Sequence, residues 1–346
     1  MRRYDIDWLR VVAIGLLLIY HTAITFQPWG VMIGFISNPR PWESLWTPMT
    51  LLNVWRIPLL FFVSGMGVFF AIQQRSWREL LVERMARIGI PFVFGIFFIV
   101  PIAALLSQYH DLSLPAYAPG PGHLWFLGNI LAYVLILSPV FYYLKRNESG
   151  KFVTRLKFIL GKPAGIILVL CAFVAEVLIA RPVIFEWYAM TWHGFFLGFL
   201  AFFFGFCFVW VDDGFWKQIA KWRCILLVAA GTLYIWRQSQ FPVPVAGYRL
   251  SIESNLWILT ILAFGYRYLN RPSRALAYLS HAAYPVYILH MIFLSLGAMV
   301  IFPWQVPVPL QFVLLLLFAL AGSLMTYEFI IRRVTIIRPL FGVKMR

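Results

Sequence analysis

Apolar residues run through this chain in long stretches separated by short polar ones. A bilayer's hydrocarbon core is about 30 Å thick, so a spanning helix needs roughly 20 mostly apolar residues. Ten stretches meet that length, at approximately 8–27, 48–72, 88–107, 123–144, 164–180, 193–211, 222–238, 251–269, 278–301 and 309–331. The seventh is the poorest, because Lys221, Arg223 and Arg237 crowd a short apolar centre. The pattern predicts an all-α integral membrane protein of about ten transmembrane helices. Its longest connections, 28–47, 108–122 and 145–163, are too short for a core of their own. Residues 1–346 are therefore expected to form a single integral-membrane domain with no appended soluble domain. The stretch RSWRELLVERMAR (Arg75–Arg87) places Glu79, Glu83 and Arg87 at i, i+4 spacing and predicts a helix lying in the inner interface.

Charge placement supports the same layout. Lys and Arg accumulate in cytoplasmic loops. With the N-terminus inside, all of the 29 Lys and Arg except Arg40, Arg56, Arg181, Arg237 and Arg249 fall in inner segments. Both termini are thus expected to be cytoplasmic. The chain is 62% hydrophobic and only 12% charged, against roughly 25% charged in soluble domains, which excludes a soluble enzyme. A net charge of +16 would suit nucleic acid only on a water-exposed basic face. Here the excess lies in short clusters between apolar runs, so no nucleic acid partner is expected. Met1 to Arg3 and the following apolar run resemble a signal peptide, but that run contains His21 and lacks a small-residue cleavage site, and is read as a retained helix. Cys171, Cys207 and Cys224 form no C-x-x-C pair and predict neither disulfide nor metal site.

Ionisable residues inside a bilayer are costly and need a structural or chemical reason. In the first span Arg10 and His21 are eleven residues apart, about three turns, so they share one helical face roughly 16 Å apart along the axis. Asp7 is three residues before Arg10 and spaced to pair with it. His290 stands about as far into the ninth span as His21 does into the first. Arg56 lies in the outer half of the second span, opening RIPLLFFVSG, and His123 opens the fourth, beside Trp125, in GHLWFLGN. All but Arg56, which lies deeper and is harder to dismiss, have a plainer reading. A membrane histidine is more often an interhelical contact, Arg10 a snorkelling anchor, and His123 with Trp125 part of an aromatic belt. Glu328 is expected to pair with Arg332, and His110, His193 and His281 read as interfacial. Glu176 has no reading. Nucleotide-binding, metalloprotease and serine-hydrolase motifs are missing from the chain, and two imidazoles without a converging carboxylate or thiolate make a poor metal site. Intramembrane polar residues also suit a transporter or exporter of a small polar or glycan substrate, or interhelical glue in an assembly subunit. No internal repeat of the kind transporters usually show is visible.

The segment RYDIDWLRVVAIGLLLIYH resembles the first helix of membrane-bound acyltransferase family 3, in which an aspartate precedes Leu-Arg and an Arg-x10-His spacing follows. Arg10 and His21 match it without a gap. RIPLLFFVSG resembles the family's second-helix motif, which ends here on Ser64 and Gly65. HLWFL and LWILTILAFGYRYLN with LAYLSHAAYPVYILH are similar to the glucan-modifying, succinyltransferase-like branch. The resemblance covers nearly the whole chain. It implies a multi-pass enzyme of the bacterial inner membrane. Such an enzyme transfers an acetyl- or succinyl-type group from cytoplasmic acyl-CoA, a donor rather than a permanently bound cofactor, to a hydroxyl of an extracytoplasmic sugar or glycan. On that footing His21 is the general base and His290 its catalytic partner. Arg10 receives donor phosphates, Arg56 an oxyanion or acyl carboxylate, and Asp7, Ser64, His123 and Trp125 contact substrate. Lacking the soluble domain of many relatives, the chain would recognise its acceptor through outer loops such as 28–47, with Trp29, Trp42 and Trp46, or through envelope partner proteins; a homodimer is a further expected partner.

Overall fold

The computed structural model describes residues 3–112, 114–211 and 213–345; Arg2 and Arg346, part of the expected inner clusters, lie outside them. The described residues form helices and turns with no strand. Among them, nine helical runs are long and apolar enough to cross a membrane, and these coincide with nine of the ten expected spans. The seventh, expected to be weakest, is among them as α11 (Asp213–Ser239). The exception is the eighth. There α12 (Gly247–Tyr268) has 22 residues, about 33 Å at the α-helical rise. It is less apolar because Ser251, Glu253, Ser254 and Asn255 are buried inside the protein.

The helix expected to lie in the inner interface over 75–87 is not separate. It begins one continuous run, Trp77–His110, built from α4 (Trp77–Arg84), a π turn at Met85–Gly89, α5 (Ile90–Phe94), a second π turn at Gly95–Ile99, and α6 (Val100–His110). Pro91 and Pro101 open α5 and α6. Each lacks the N–H that an α-turn requires, and the wider turn ahead of it absorbs the mismatch. The Phe97 carbonyl, which Pro101 is unable to serve, instead accepts from the Tyr117 hydroxyl at 2.9 Å. A capping box starts the run: the Ser76 N–H donates to the Glu79 carboxylate at 2.8 Å and the Glu79 N–H to the Ser76 hydroxyl at 3.4 Å.

The chain divides into two compact units interleaved along the sequence. The first comprises Met1–Arg10, Asn53–Val82 and Asn129–Ser273. Its centre is the packing of α3 (Arg56–Gln74) on α10 (Trp192–Trp210). A Cβ on Gly65 would collide with the Phe202 carbonyl, and one on Gly205 with that of Phe62. The two glycines therefore let the backbones touch, which accounts structurally for the glycine that ends RIPLLFFVSG. Flat stacking of Phe141 on Phe206, 3.8 Å between centroids, and of Phe208 on Phe215, 4.0 Å, fills the space beside them.

The second unit comprises Val11–Leu52, Glu83–Gly128 and Arg274–Arg346. It holds most of α1 (Tyr4–Ile24), α2 (Trp46–Asn53) except its last residue, α13 (Arg274–Ile301) and α14 (Val308–Thr326). Phe26, Ile36, Leu294, Ala298, Ile301, Phe302, Leu315 and Ala319 make its core. A buried amide pair ties the loop after α1 to α14. The Asn38 side chain donates to Gln311 Oε1 at 2.7 Å, and Gln311 Nε2 donates to the carbonyls of Ile301, Phe302 and Trp304.

Candidate active site

In the second unit three histidines meet. His21 comes from α1, His290 from the middle of α13, and His123 from a short 3₁₀ turn, Gly122–Leu124. His290 is 1% exposed. Its Nδ1 lies 2.7 Å from the backbone carbonyl of Tyr287, one turn earlier in the same helix. A carbonyl only accepts, so Nδ1 carries the proton, and the neutral ring keeps its lone pair on Nε2. That Nε2 lies 2.8 Å from His21 Nδ1, with the two rings within 11° of parallel. With both rings neutral, His21 Nδ1 donates to His290 Nε2, and the basic lone pair of His21 resides on its own Nε2. Protonating His21 at Nε2 keeps the same inter-ring hydrogen bond and makes it charge-assisted.

His123 is held against α13 from two sides. Its Nε2 donates to the Ile288 carbonyl at 3.1 Å, and its own backbone carbonyl accepts from the Tyr287 hydroxyl at 2.7 Å. Its ring meets His290 edge-on, 5.1 Å between centroids. Phe35 packs edge-on to His21 at 5.6 Å. Tyr20 packs on Trp46 at 5.4 Å and Trp46 on Trp29 at 4.7 Å, so half-buried aromatic rings continue from the histidine pair into the loop after α1. Among the described residues, no group of three or more His, Cys, Asp and Glu side chains is placed to hold a metal ion.

The remaining expected site residues, apart from Trp125 at the start of α7 (Trp125–Arg146), belong to the first unit. Arg10 lies 3.9 Å from Asp7, as their spacing predicts. Its guanidinium passes over α3 at Gly67, where a Cβ would lie 3.7 Å from it. Ser64 donates its hydroxyl back to the Leu60 carbonyl at 2.7 Å, leaving oxygen lone pairs to accept. Arg56 opens α3 and is 2% exposed.

Two buried pairs in this unit escaped the sequence reading. Glu176, on α9 (Pro163–Ala180), lies 3.0 Å from His193 Nδ1, and His193 Nε2 lies 3.0 Å from the Phe185 carbonyl. His193 is therefore buried rather than interfacial. Arg237 grips Glu253 through two bonds, at 2.8 and 2.9 Å. The available signal was charge placement: each pair joins the facing ends of consecutive antiparallel helices across a short loop. Glu328 and Arg332 form the expected ion pair at 2.8 Å, and His110 and His281 are exposed.

The family model described as an acyltransferase domain, that of acyltransferase family 3, matches residues 3–328. No curated relative and no solved structure matches the chain. The match covers nearly the whole chain, which therefore belongs to acyltransferase family 3 and is a multi-pass membrane acyltransferase.

Proposed function

We propose that this acyltransferase moves an acetyl- or succinyl-type group from acyl-CoA to a hydroxyl of a sugar or glycan, with Nε2 of His21 as general base. The observation that carries the reading is the His21–His290 hydrogen bond, whose direction is set by the Tyr287 carbonyl. As the acceptor oxygen attacks the thioester carbon, its proton passes to His21 Nε2. The tetrahedral intermediate then collapses, the C–S bond breaks, and the departing thiolate takes that proton. General-base catalysis of this kind is worth about 10²–10⁴-fold in rate.

The other groups take supporting roles. His290 holds the tautomer and orientation of His21. Arg10, eleven residues before His21 on α1, meets donor phosphates, for which a guanidinium fork is well shaped. Asp7 orients Arg10. Arg56 balances an oxyanion or an acyl carboxylate, and Ser64, His123 and Trp125 contact substrate. The rings of Tyr20, Trp46 and Trp29 supply flat apolar faces suited to a sugar ring. In this reading the basic clusters face the cytoplasm of a bacterium, the acceptor arrives from the opposite side of the inner membrane, and the chain falls in the glucan-modifying branch.

The test uses protein reconstituted in vesicles, labelled acyl-CoA on the side of the basic clusters, and a panel of sugars and glucans on the other. Transfer by wild type and its loss in a folded His21→Ala variant support the reading. Equal transfer by both overturns it.

A further inference from the structure

Between α7 and α9 lies α8 (Lys151–Leu160), KFVTRLKFIL. At about 100° per residue, Val153, Leu156 and Leu160 share one face, and Val153 and Leu160 are buried in the first unit. The opposite arc carries Phe158, Lys151, Arg155 and Phe152 in angular order, all exposed. Phe158 is 65% and Phe152 67% exposed, so two aromatic rings flank two cations on the outward side of one short helix. The neighbouring Lys157 is turned inward, 4.8 Å over the Trp210 ring and 3.5 Å from Glu148. The segment 145–162 holds six basic residues against the single acid Glu148. Helices α7 and α9 both cross the membrane, so the short connection 147–162 keeps α8 close to the bilayer surface.

We propose that α8 lies in the plane of the membrane surface and binds anionic phospholipid headgroups through Lys151 and Arg155, with Phe152 and Phe158 sunk into the boundary with the acyl chains. A basic, aromatic outer face on a helix whose other face is already packed fits that surface. Phosphate-bearing headgroups complement the local excess of positive charge. The same cations would also attract a free phosphate, but only a lipid would in addition engage the two phenylalanines.

The experiment titrates full-length protein, held in a neutral detergent, with chain-labelled phosphatidylglycerol and reads fluorescence anisotropy; phosphatidylcholine is the neutral control. Each near-surface cation is worth about fivefold in affinity. K151Q/R155Q is therefore expected to weaken phosphatidylglycerol binding by at least roughly tenfold and to leave phosphatidylcholine unchanged. F152S/F158S is expected to weaken both lipids. Thermal unfolding checks each variant, and K151R/R155K keeps the charge should the glutamine variant fold poorly. Wild-type affinity in the folded glutamine variant overturns the proposal. So does displacement of labelled lipid by inorganic phosphate as readily as by unlabelled phosphatidylglycerol. Acyl transfer plays no part in this readout, so failure here would leave the role of His21 untouched.

Discussion

Nδ1 of His21 lies 2.8 Å from Nε2 of His290, and the second ring's proton is pinned by a backbone carbonyl 2.7 Å away. The pair is therefore directional: His290 accepts and His21 donates, whichever protonation state His21 occupies at its other nitrogen. Replacing His21 with Ala is expected to lower kcat for acyl transfer by about 10²–10⁴-fold, with thermal unfolding near wild type. Initial rates with labelled acyl-CoA check it.

His290→Phe removes the acceptor that fixes His21. The expected result is a kcat loss of about tenfold to a hundredfold, with KM nearly unchanged. His290→Gln, which still offers an acceptor oxygen, should recover part of it. A variant whose role was merely structural would change stability without altering the pH dependence of kcat, so the pH–rate profile separates the two.

Gln311 ties together Asn38 and three backbone carbonyls in the interior of the second unit. Gln311→Leu leaves the Asn38 amide nitrogen and the Phe302 carbonyl without that partner, whereas Ile301 still accepts from the Trp304 N–H and Trp304 from Arg40; each unsatisfied buried polar group costs about 1–3 kcal/mol. The expected outcome is a lowered unfolding midpoint together with faster proteolysis within 25–45, read by mass spectrometry of the fragments.

Gly65 faces the Phe202 backbone and Gly205 that of Phe62. A backbone carbonyl has no rotamer by which to retreat, so Gly65→Val should push α3 away from α10 and destabilise by about 3 kcal/mol or more. Thermal unfolding in detergent would show the loss. By contrast, Gly15→Ala, where nothing lies within 4 Å of the added methyl, should fold normally.

Glu186 sits in the loop between α9 and α10. Burial holds its carboxyl above the ordinary glutamate range, and nearby Glu253 pushes the same way, while Arg237 and His193 oppose them. Folding therefore favours the protonated form. Its contribution to stability is present in acid and is lost as pH rises through the raised folded value. Glu186→Gln should accordingly be more stable than wild type at neutral and alkaline pH, with the gap closing on acidification, as unfolding midpoints across a pH series would show.

The spans and several contacts between polar residues were legible from the chain because lipid imposes a simple length and polarity rule. Arg10 near Asp7, His21 level with His290, and the Glu328–Arg332 pair all followed from helical spacing. The His123 contact was harder: its placement depends on Tyr287, which binds the backbone of residue 123 rather than any side chain and so leaves no pattern. Two kinds of burial were not legible from periodicity. Helix α12 turns polar residues toward protein instead of lipid, and the Glu176–His193 and Arg237–Glu253 pairs each needed two helices to be set side by side before either partner made sense.

The π turns at Met85–Gly89 and Gly95–Ile99 each accommodate one surplus residue without ending the rod. Deleting a single residue inside the first would close it to an α-turn and leave Ile90–His110 facing nearly the same way about their common axis. A relative lacking one residue there would still thread the bilayer with the same side of this segment toward lipid, but with Pro91 crowding the carbonyl one turn before it.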